Sequence, residues 1–302
     1  MQFPFCKQRT RSPKEVVLLN TDIFILIRSK YNTFTNAEKK VADYILQNTN
    51  QVIYMSITDL ADACDVGESS VFRFCKSLNM KGYQEFKIAL AHSITPNEET
   101  PPQLAGEITL KDSIEELSTK ILNTTITALN ETYNLIAKED IDKTVDLLVK
   151  ANRIHFFGVG SSLMTALEAK NKFMRITNKT ECAIDSHLQI MSAALMTEND
   201  VGIFISYSGS TKDTIQVAKA AKSRGAKSIV ITRFAKSPLT NYADITLLCG
   251  ANEGPLQGGS LTAKISQLYL LDILYAEYFK RTSKESIPNR ESTAKAVIEK
   301  LL

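Results

Sequence analysis

No apolar run in this sequence approaches the roughly 20 residues that a membrane-spanning helix needs, and near the N-terminus Ile23–Ile27 is cut off by Arg28. No membrane span is expected. A secretory leader would need a basic segment, an apolar run and a small-residue cleavage site, whereas residues 1–15 open on Phe3, Pro4, Phe5 and Cys6 and continue through Lys7, Arg9, Arg11 and Lys14. Residues 1–15 therefore read as a basic tail, and the chain as cytoplasmic. Cysteine is sparse: Cys6, Cys64, Cys75, Cys182 and Cys249 are odd in number, widely spaced and form no Cys-x-x-Cys pair. That argues against a disulfide scaffold and for reduced, buried thiols. Twelve glycines in 302 residues exclude a collagen-like chain, and 44% hydrophobic content excludes disorder throughout. What remains is ordinary globular composition at a length that suits two domains.

The net charge of +3 is unevenly placed, because residues 1–95 hold 12 Lys and Arg against 9 Asp and Glu while the remainder is balanced. A slightly basic first part permits a polyanion-binding module without requiring one. Thr95 to Thr109 carries three prolines and three glutamates and reads as a linker. The expected division is a tail at 1–15, a helical domain at 16–94, a linker at 95–110 and a second domain at 111–302.

In the first domain Thr35-Asn36-Ala37-Glu38 has the spacing of a capping box, followed by the apolar stripe Val41, Ala42, Tyr44, Ile45, Leu46. A second short helix is signalled by Thr58-Asp59-Leu60-Ala61, and a third begins near Glu68-Ser69-Ser70, whose small polar residues suit an N-cap. Cys64-Asp65-Val66-Gly67 between them is short enough for a helix-turn-helix, with Asp65 where the turn needs unusual backbone angles. With Val66, Val71 and Phe74 turned inward, the third helix is expected to expose Glu68, Ser69, Ser70, Arg73, Lys76 and Ser77. Ser and Arg early on such a helix suit base edges and Lys76 suits a phosphate. The same pattern occurs in any three-helix bundle, where Arg73 is a solvated surface charge.

The run Val66-Gly67-Glu68-Ser69-Ser70-Val71-Phe72-Arg73-Phe74-Cys75-Lys76-Ser77-Leu78, with Lys81-Gly82-Tyr83-Gln84-Glu85-Phe86-Lys87 behind it, resembles the helix-turn-helix of the RpiR family of bacterial transcriptional regulators. The family's usual Gly is Asn79 here, the next best residue at a left-handed helix end.

Beyond the linker, residues 111–150 read as two helices broken near Lys138. Short β-rich runs then alternate with helical segments: Arg153–Phe157, Val201–Ser206, Lys227–Thr232 and Asp244–Cys249, with a weaker fifth at Thr180–Ile184. Strand-helix alternation predicts a doubly wound parallel α/β sheet of five strands beside an all-α first domain. Two strand-to-helix loops carry the chemistry. One is Gly158-Val159-Gly160-Ser161-Ser162, the other Ser206-Tyr207-Ser208-Gly209-Ser210-Thr211. Bare N–H groups at a helix start, helped by hydroxyls and a permissive Gly209, make an anion site suited to a phosphate monoester. A dinucleotide fingerprint is rejected because bulky Leu163 stands where a third small residue belongs. No Walker-type Gly-Lys-Ser/Thr exists, and Ser208 lacks the flanking glycines of a nucleophile elbow. Neither cofactor nor metal is expected. Serine-rich turns that merely cap helices are the plain alternative, weakened by there being two.

These loops, in this strand-helix order, resemble the sugar isomerase (SIS) domain that the RpiR family joins to its helix-turn-helix. The resemblance implies that Ser162, Ser206, Ser208 and Thr211, with Gly160, Ser161, Gly209 and Ser210 around them, hold a sugar phosphate. It places Asp185-Ser186-His187 and Glu253 at the sugar hydroxyls, and compares Glu253 with the acid/base glutamate of isomerising relatives. Gln257 stands where such regulators often have Arg. The function implied is a regulator of double-stranded operator DNA, controlled by a sugar-phosphate effector and acting as a homodimer or dimer of dimers. The rival is an aldose–ketose isomerase with an accessory nucleic-acid-binding domain, in which Glu253 and His187 move protons. A structural adaptor built on the long helices explains neither loop.

Overall fold

A computed structural model describes residues 23–94, 103–105, 108–251, 253–254, 259–298 and 300. The basic tail, most of the linker and Gln257 lie outside the described residues. The chain divides into two compact units at Pro102/Gln103. Among the described residues no helix is long and apolar enough to cross a membrane.

The first unit is all-α, as the sequence predicts: α1 (Ile23–Lys30), α2 (Asn36–Gln47), the single turn α3 (Thr49–Val52), α4 (Ile57–Ala63), α5 (Glu68–Ser77) and α6 (Tyr83–Ile94). The capping box that opens α2 is present, with the Glu38 carboxylate accepting from the Thr35 N–H at 2.8 Å. A second box, Ser56 with Asp59, opens α4. The α5 start differs from expectation, because its N-cap is Gly67 and no side chain caps it. Phe74 is fully buried, its ring 5.2 Å from Phe34 and 5.6 Å from Phe86. Both α4 and α5 end in the same device. Asp65 (φ 51°) and Asn79 (φ 65°) turn left-handed, and the next N–H, of Val66 or Met80, reaches back to the Ala61 or Cys75 carbonyl.

The second unit begins with a small antiparallel pair, β1 (Gln103–Ala105) with β2 (Ile108–Thr109), inside the segment expected to be linker. Then come α7 (Ile114–Leu135) and α8 (Lys138–Lys150), broken close to the expected Lys138. The strands are β3 (Ile154–Phe157), β4 (Thr180–Glu181), β5 (Val201–Ile205), β6 (Lys227–Thr232) and β7 (Ile245–Leu248). All pair parallel in the order β4-β3-β5-β6-β7. The weak strand expected at 180–184 is only two residues long. Between and after the strands lie α9 (Ser161–Phe173), α10 (Ser186–Ala194), α11 (Lys212–Ser223), α12 (Leu261–Arg281) and α13 (Ser283–Ile298).

Alternate strand residues point to opposite faces. Ile154, Phe156, Ile203, Ile205, Ile229 and Ile231 face α8, α9 and α12 through Val145, Leu148, Phe173 and Leu274. Phe157, Phe204 and Val230 face α10 and α11 through Ala193, Val217 and Ala221. A parallel sheet covered on both faces explains why β3 and β5 are buried along their whole length and why β5 reads as an unbroken apolar run.

One core residue of the first unit is a lysine. Lys87 is 8% exposed, its Nζ donates to the Met55 carbonyl at 3.2 Å, and it lies 5.2 Å from the Tyr83 ring centroid. Burial lowers its pKa from 10.5 to about 8, against an opposing pull from Asp59. Between those values the unfolded chain binds the proton more tightly, so this group's contribution rises as pH increases from about 8 to 10.5 and is least favourable below 8. Lys87→Met is expected to stabilise the first unit at pH 7 by about 1–3 kcal/mol, with the gain shrinking toward pH 10. Melting curves of both full-length chains across that range check it.

Candidate functional site

The parallel sheet reverses its winding between β3 and β5. From β3 the chain crosses to β4 on one side, then returns to place β5 on the other, so the two strands' C-terminal loops leave the sheet side by side. Such a reversal opens a crevice above the strand ends. The two serine-rich loops of the sequence are the ones that meet there.

The second loop is the more open. Thr211 is the N-cap of α11 and makes no side-chain cap bond, so the first-turn N–H groups have no partner within their own helix. The Ser206 and Thr211 hydroxyl oxygens lie 3.5 Å apart, with Ser206 almost wholly buried. Ser208 Oγ accepts from the Ser210 N–H at 3.2 Å, and the exposed Ser210 hydroxyl turns back to the Ser208 carbonyl. Gly209 adopts φ 59°, and a Cβ there would lie 2.1 Å from Ser237 Oγ, so both backbone and space require glycine. In the first loop Gly160 caps α9, and the N–H groups of Ser162 and Leu163 are taken by Val159 and Gly160 carbonyls. Ser161 lies against the third segment: a Cβ on Gly259 would sit 3.2 Å from Ser161 Cβ.

That third segment, after β7, is held by residues sequence reasoning did not single out. Tyr207 donates its phenolic hydrogen to the Ala251 carbonyl at 2.9 Å and accepts from the Glu253 N–H at 2.7 Å. Burial raises its pKa, so the phenol stays protonated as this donor role requires. From α7, Thr132 Oγ1 accepts from the Gly250 N–H at 2.8 Å while donating to the Ala128 carbonyl at 2.7 Å. Gly250 lies so close to α7 that a Cβ would be 2.5 Å from Glu131 Cβ. The Glu253 carboxylate accepts from the Ser260 N–H at 2.6 Å, just ahead of α12. His187 is exposed in the first turn of α10, and Asp185 caps that helix through the His187 and Leu188 N–H groups. The same helix is bracketed to the first loop by buried Gln189, whose Nε2 donates to the Gly158 and Ala183 carbonyls. Gln189 was visible in sequence only as a polar residue on an apolar helix. Thr132, 118 residues from its partner, gave no signal.

In the first unit the expected exposed face needs correction. Ser70 is 7% exposed, because it stands four residues before fully buried Phe74 and shares its face. Its oxygen accepts from Arg73 Nη2 at 3.3 Å. Ser77 is half-buried and donates to Glu38 at 2.7 Å, and half-buried Glu68 accepts from the Thr58 hydroxyl. Burial, the largest influence on Glu38, raises its pKa, but the Ser77 and Thr35 hydrogen bonds outweigh it and keep the carboxyl below its ordinary value. Three of the six, Ser69, Arg73 and Lys76, remain exposed, and Phe72 joins them. No group of three His, Cys, Asp or Glu is placed to hold a metal among the described residues.

Comparison with known proteins agrees with both halves. The rpiR-family helix-turn-helix domain matches residues 21–97 and the SIS domain matches residues 147–277. An uncharacterised HTH-type transcriptional regulator of Caldanaerobacter subterraneus is 35% identical over 277 residues, covering 92% of this chain and 97% of its own. The HTH-type transcriptional regulator HexR of Pseudomonas aeruginosa is 34% identical, covering 87% and 95%. The solved structure of the Vibrio vulnificus NanR protein complexed with ManNAc-6P has a TM-score of 0.82 at 28% identity, covering 92% of this chain and 99% of its own.

The buried Thr132–Gly250 bond gives a direct test of how the third segment is held. Thr132→Val keeps the volume and leaves the Gly250 N–H buried without a partner, a cost of about 1–3 kcal/mol. The second unit is expected to melt roughly 2–4 °C lower for each kcal/mol lost, with faster amide exchange at Gly250 and Ala251. Thr132→Ser is expected to restore both.

Proposed function

The chain belongs to the RpiR family of helix-turn-helix transcriptional regulators that carry a SIS domain, and from that premise we propose that its operator affinity is set by a phosphorylated sugar. The observation that carries the reading is the pairing of two strand-to-helix loops at the reversal of the sheet, one with its helix start uncapped and ringed by hydroxyls. The phosphate lies on the Ser206, Ser208, Gly209, Ser210 and Thr211 side, with Gly160, Ser161 and Ser162 opposite. The sugar extends toward His187 and Glu253. A similar protein, NanR, was solved with ManNAc-6P, which supports a phosphorylated sugar as the class of effector.

No turnover is part of this reading. Of the two acid/base candidates, Glu253 and His187, Glu253 has a carboxylate oxygen engaged by the Ser260 N–H, which suits holding the segment rather than shuttling a proton. In the first unit Ser69, Arg73 and Lys76 meet double-stranded operator DNA, while Glu68, Ser70 and Ser77 set the helix in place. One such helix spans few base pairs, so two copies on a near-palindromic site are required, as a homodimer or a dimer of dimers in the cytoplasm. Residues 16–94 form the DNA-binding domain and residues 111–302 the effector domain. The coupling runs through α7, which follows the connection between the units and holds the segment beside the site through Thr132.

Operator affinity is expected to change by about 5- to 150-fold when a phosphorylated sugar that binds is saturating. Thr211→Ala weakens the effector by about 1–3 kcal/mol and shifts the response to higher concentration. Arg73→Ala abolishes specific operator binding without changing effector affinity. Calorimetry with phosphorylated and unphosphorylated forms of the same sugars, and gel retardation with and without them, check all three. Equal affinity for both forms, or isomer formation during incubation, overturns the reading.

A further inference from the structure

On α5 successive side chains are about 100° apart, so Ser69, Phe72, Arg73 and Lys76 share one arc about 100° wide. All four are exposed, and the residues flanking the arc, Glu68, Ser70 and Ser77, are at least half withdrawn. Three members are polar or cationic. The fourth, Phe72, is a large apolar ring 44% exposed to water.

The ring is also located. A Cβ on Gly82 would lie 3.4 Å from its Cε2, so one edge rests against the backbone that leads into α6. Lys76 Nζ lies 5.3 Å from the ring centroid, one helical turn along. Arg73, beside it, is oriented by its bond to buried Ser70. A fixed apolar ring with one cation against it and a second on the same arc suits a partner that is apolar at one point and strongly anionic around it. Duplex DNA offers that combination in the major groove, where thymine's C5-methyl group is the apolar feature on a base edge and phosphates line both sides.

We infer that Phe72 is a specificity-determining residue that reads a thymine methyl group in each operator half-site, beside the Arg73 contact. The inference rests on the DNA-binding reading above. In it Arg73 takes a guanine edge or a phosphate, Lys76 keeps its ammonium toward the backbone, and Phe72 supplies discrimination against cytosine and against thymine lacking its methyl group.

The test uses full-length protein and a duplex selected by it from a random pool. Each thymine of one half-site is replaced in turn by deoxyuridine, which removes the methyl group alone, and affinity is measured for the unmodified chain, Phe72→Ala and Phe72→Leu. Circular dichroism and melting curves establish that both variants are folded. For the unmodified chain one replacement is expected to weaken binding about fourfold, the worth of one buried methyl group. The same replacement leaves Phe72→Ala unchanged and has an intermediate effect on Phe72→Leu. Equal losses for the unmodified chain and Phe72→Ala at every thymine overturn the inference, as does a Phe72→Ala chain that binds like the unmodified one. Loss of self-association by Phe72→Ala in sedimentation, with its DNA response to deoxyuridine retained, also overturns it and makes Phe72 a protein contact. The DNA-binding reading fails separately: Arg73→Ala then binds the selected duplex as well as the unmodified chain does, or no duplex is selected.

Discussion

The in-register parallel pairing of β3 with β5, from Ile154 opposite Val201 to Phe157 opposite Phe204, is the constraint on which the second unit depends. The two strands end within one residue of each other, so their loops emerge side by side. Because the crossover from β3 runs one way along the sheet and that from β5 the other, right-handed connections put their helices on opposite faces. One face is closed by α8, α9 and α12, the other by α10 and α11. The crevice between the loops follows from topology, and side chains need only furnish it. Without the reversal, Ser162 and Thr211 would belong to separate loops on one side of the sheet.

What furnishes the crevice is a set of bonds from distant parts of the chain. Tyr207 ties the second loop to Ala251 and Glu253, Gln189 ties α10 to Gly158, and Thr132 ties α7 to Gly250. The Gln189 and Thr132 bonds partner buried backbone groups of Gly158 and Gly250, and the part-buried Tyr207 bonds partner groups of Ala251 and Glu253, so the segments are positioned together. The first unit achieves comparable fixity differently, through caps at helix starts and left-handed turns at Asp65 and Asn79.

This contrast explains what could be read from sequence. Capping boxes, the helix-turn-helix spacing, the left-handed ends and the strand-helix alternation are local patterns, and each is decided within a few residues. The paired loops were legible because glycine and serine cluster after apolar runs. Ser70 was misassigned to the exposed face because it is small, polar and close to Arg73, yet the helical period aligns it with Phe74. The Gly67 cap was missed because Ser69 and Ser70 are better-known capping residues than glycine. Thr132, Tyr207 and Gln189 act on partners 118, 44 and 31 residues away, and nothing local marks one threonine among several in a long helix as an acceptor for a distant amide.

Gly209 and Ser237 lie on either side of the second loop's tightest point, where a methyl group on one would overlap the hydroxymethyl of the other. Lineages carrying this loop therefore face an ordered path. Position 237 must first shrink to glycine before position 209 can accept any side chain, and the left-handed backbone at 209 still penalises the second step. The two changes are thus coupled, and a side chain at 209 is tolerated only after the change at 237. Divergence among descendants of this chain should therefore reach position 237 before it reaches position 209.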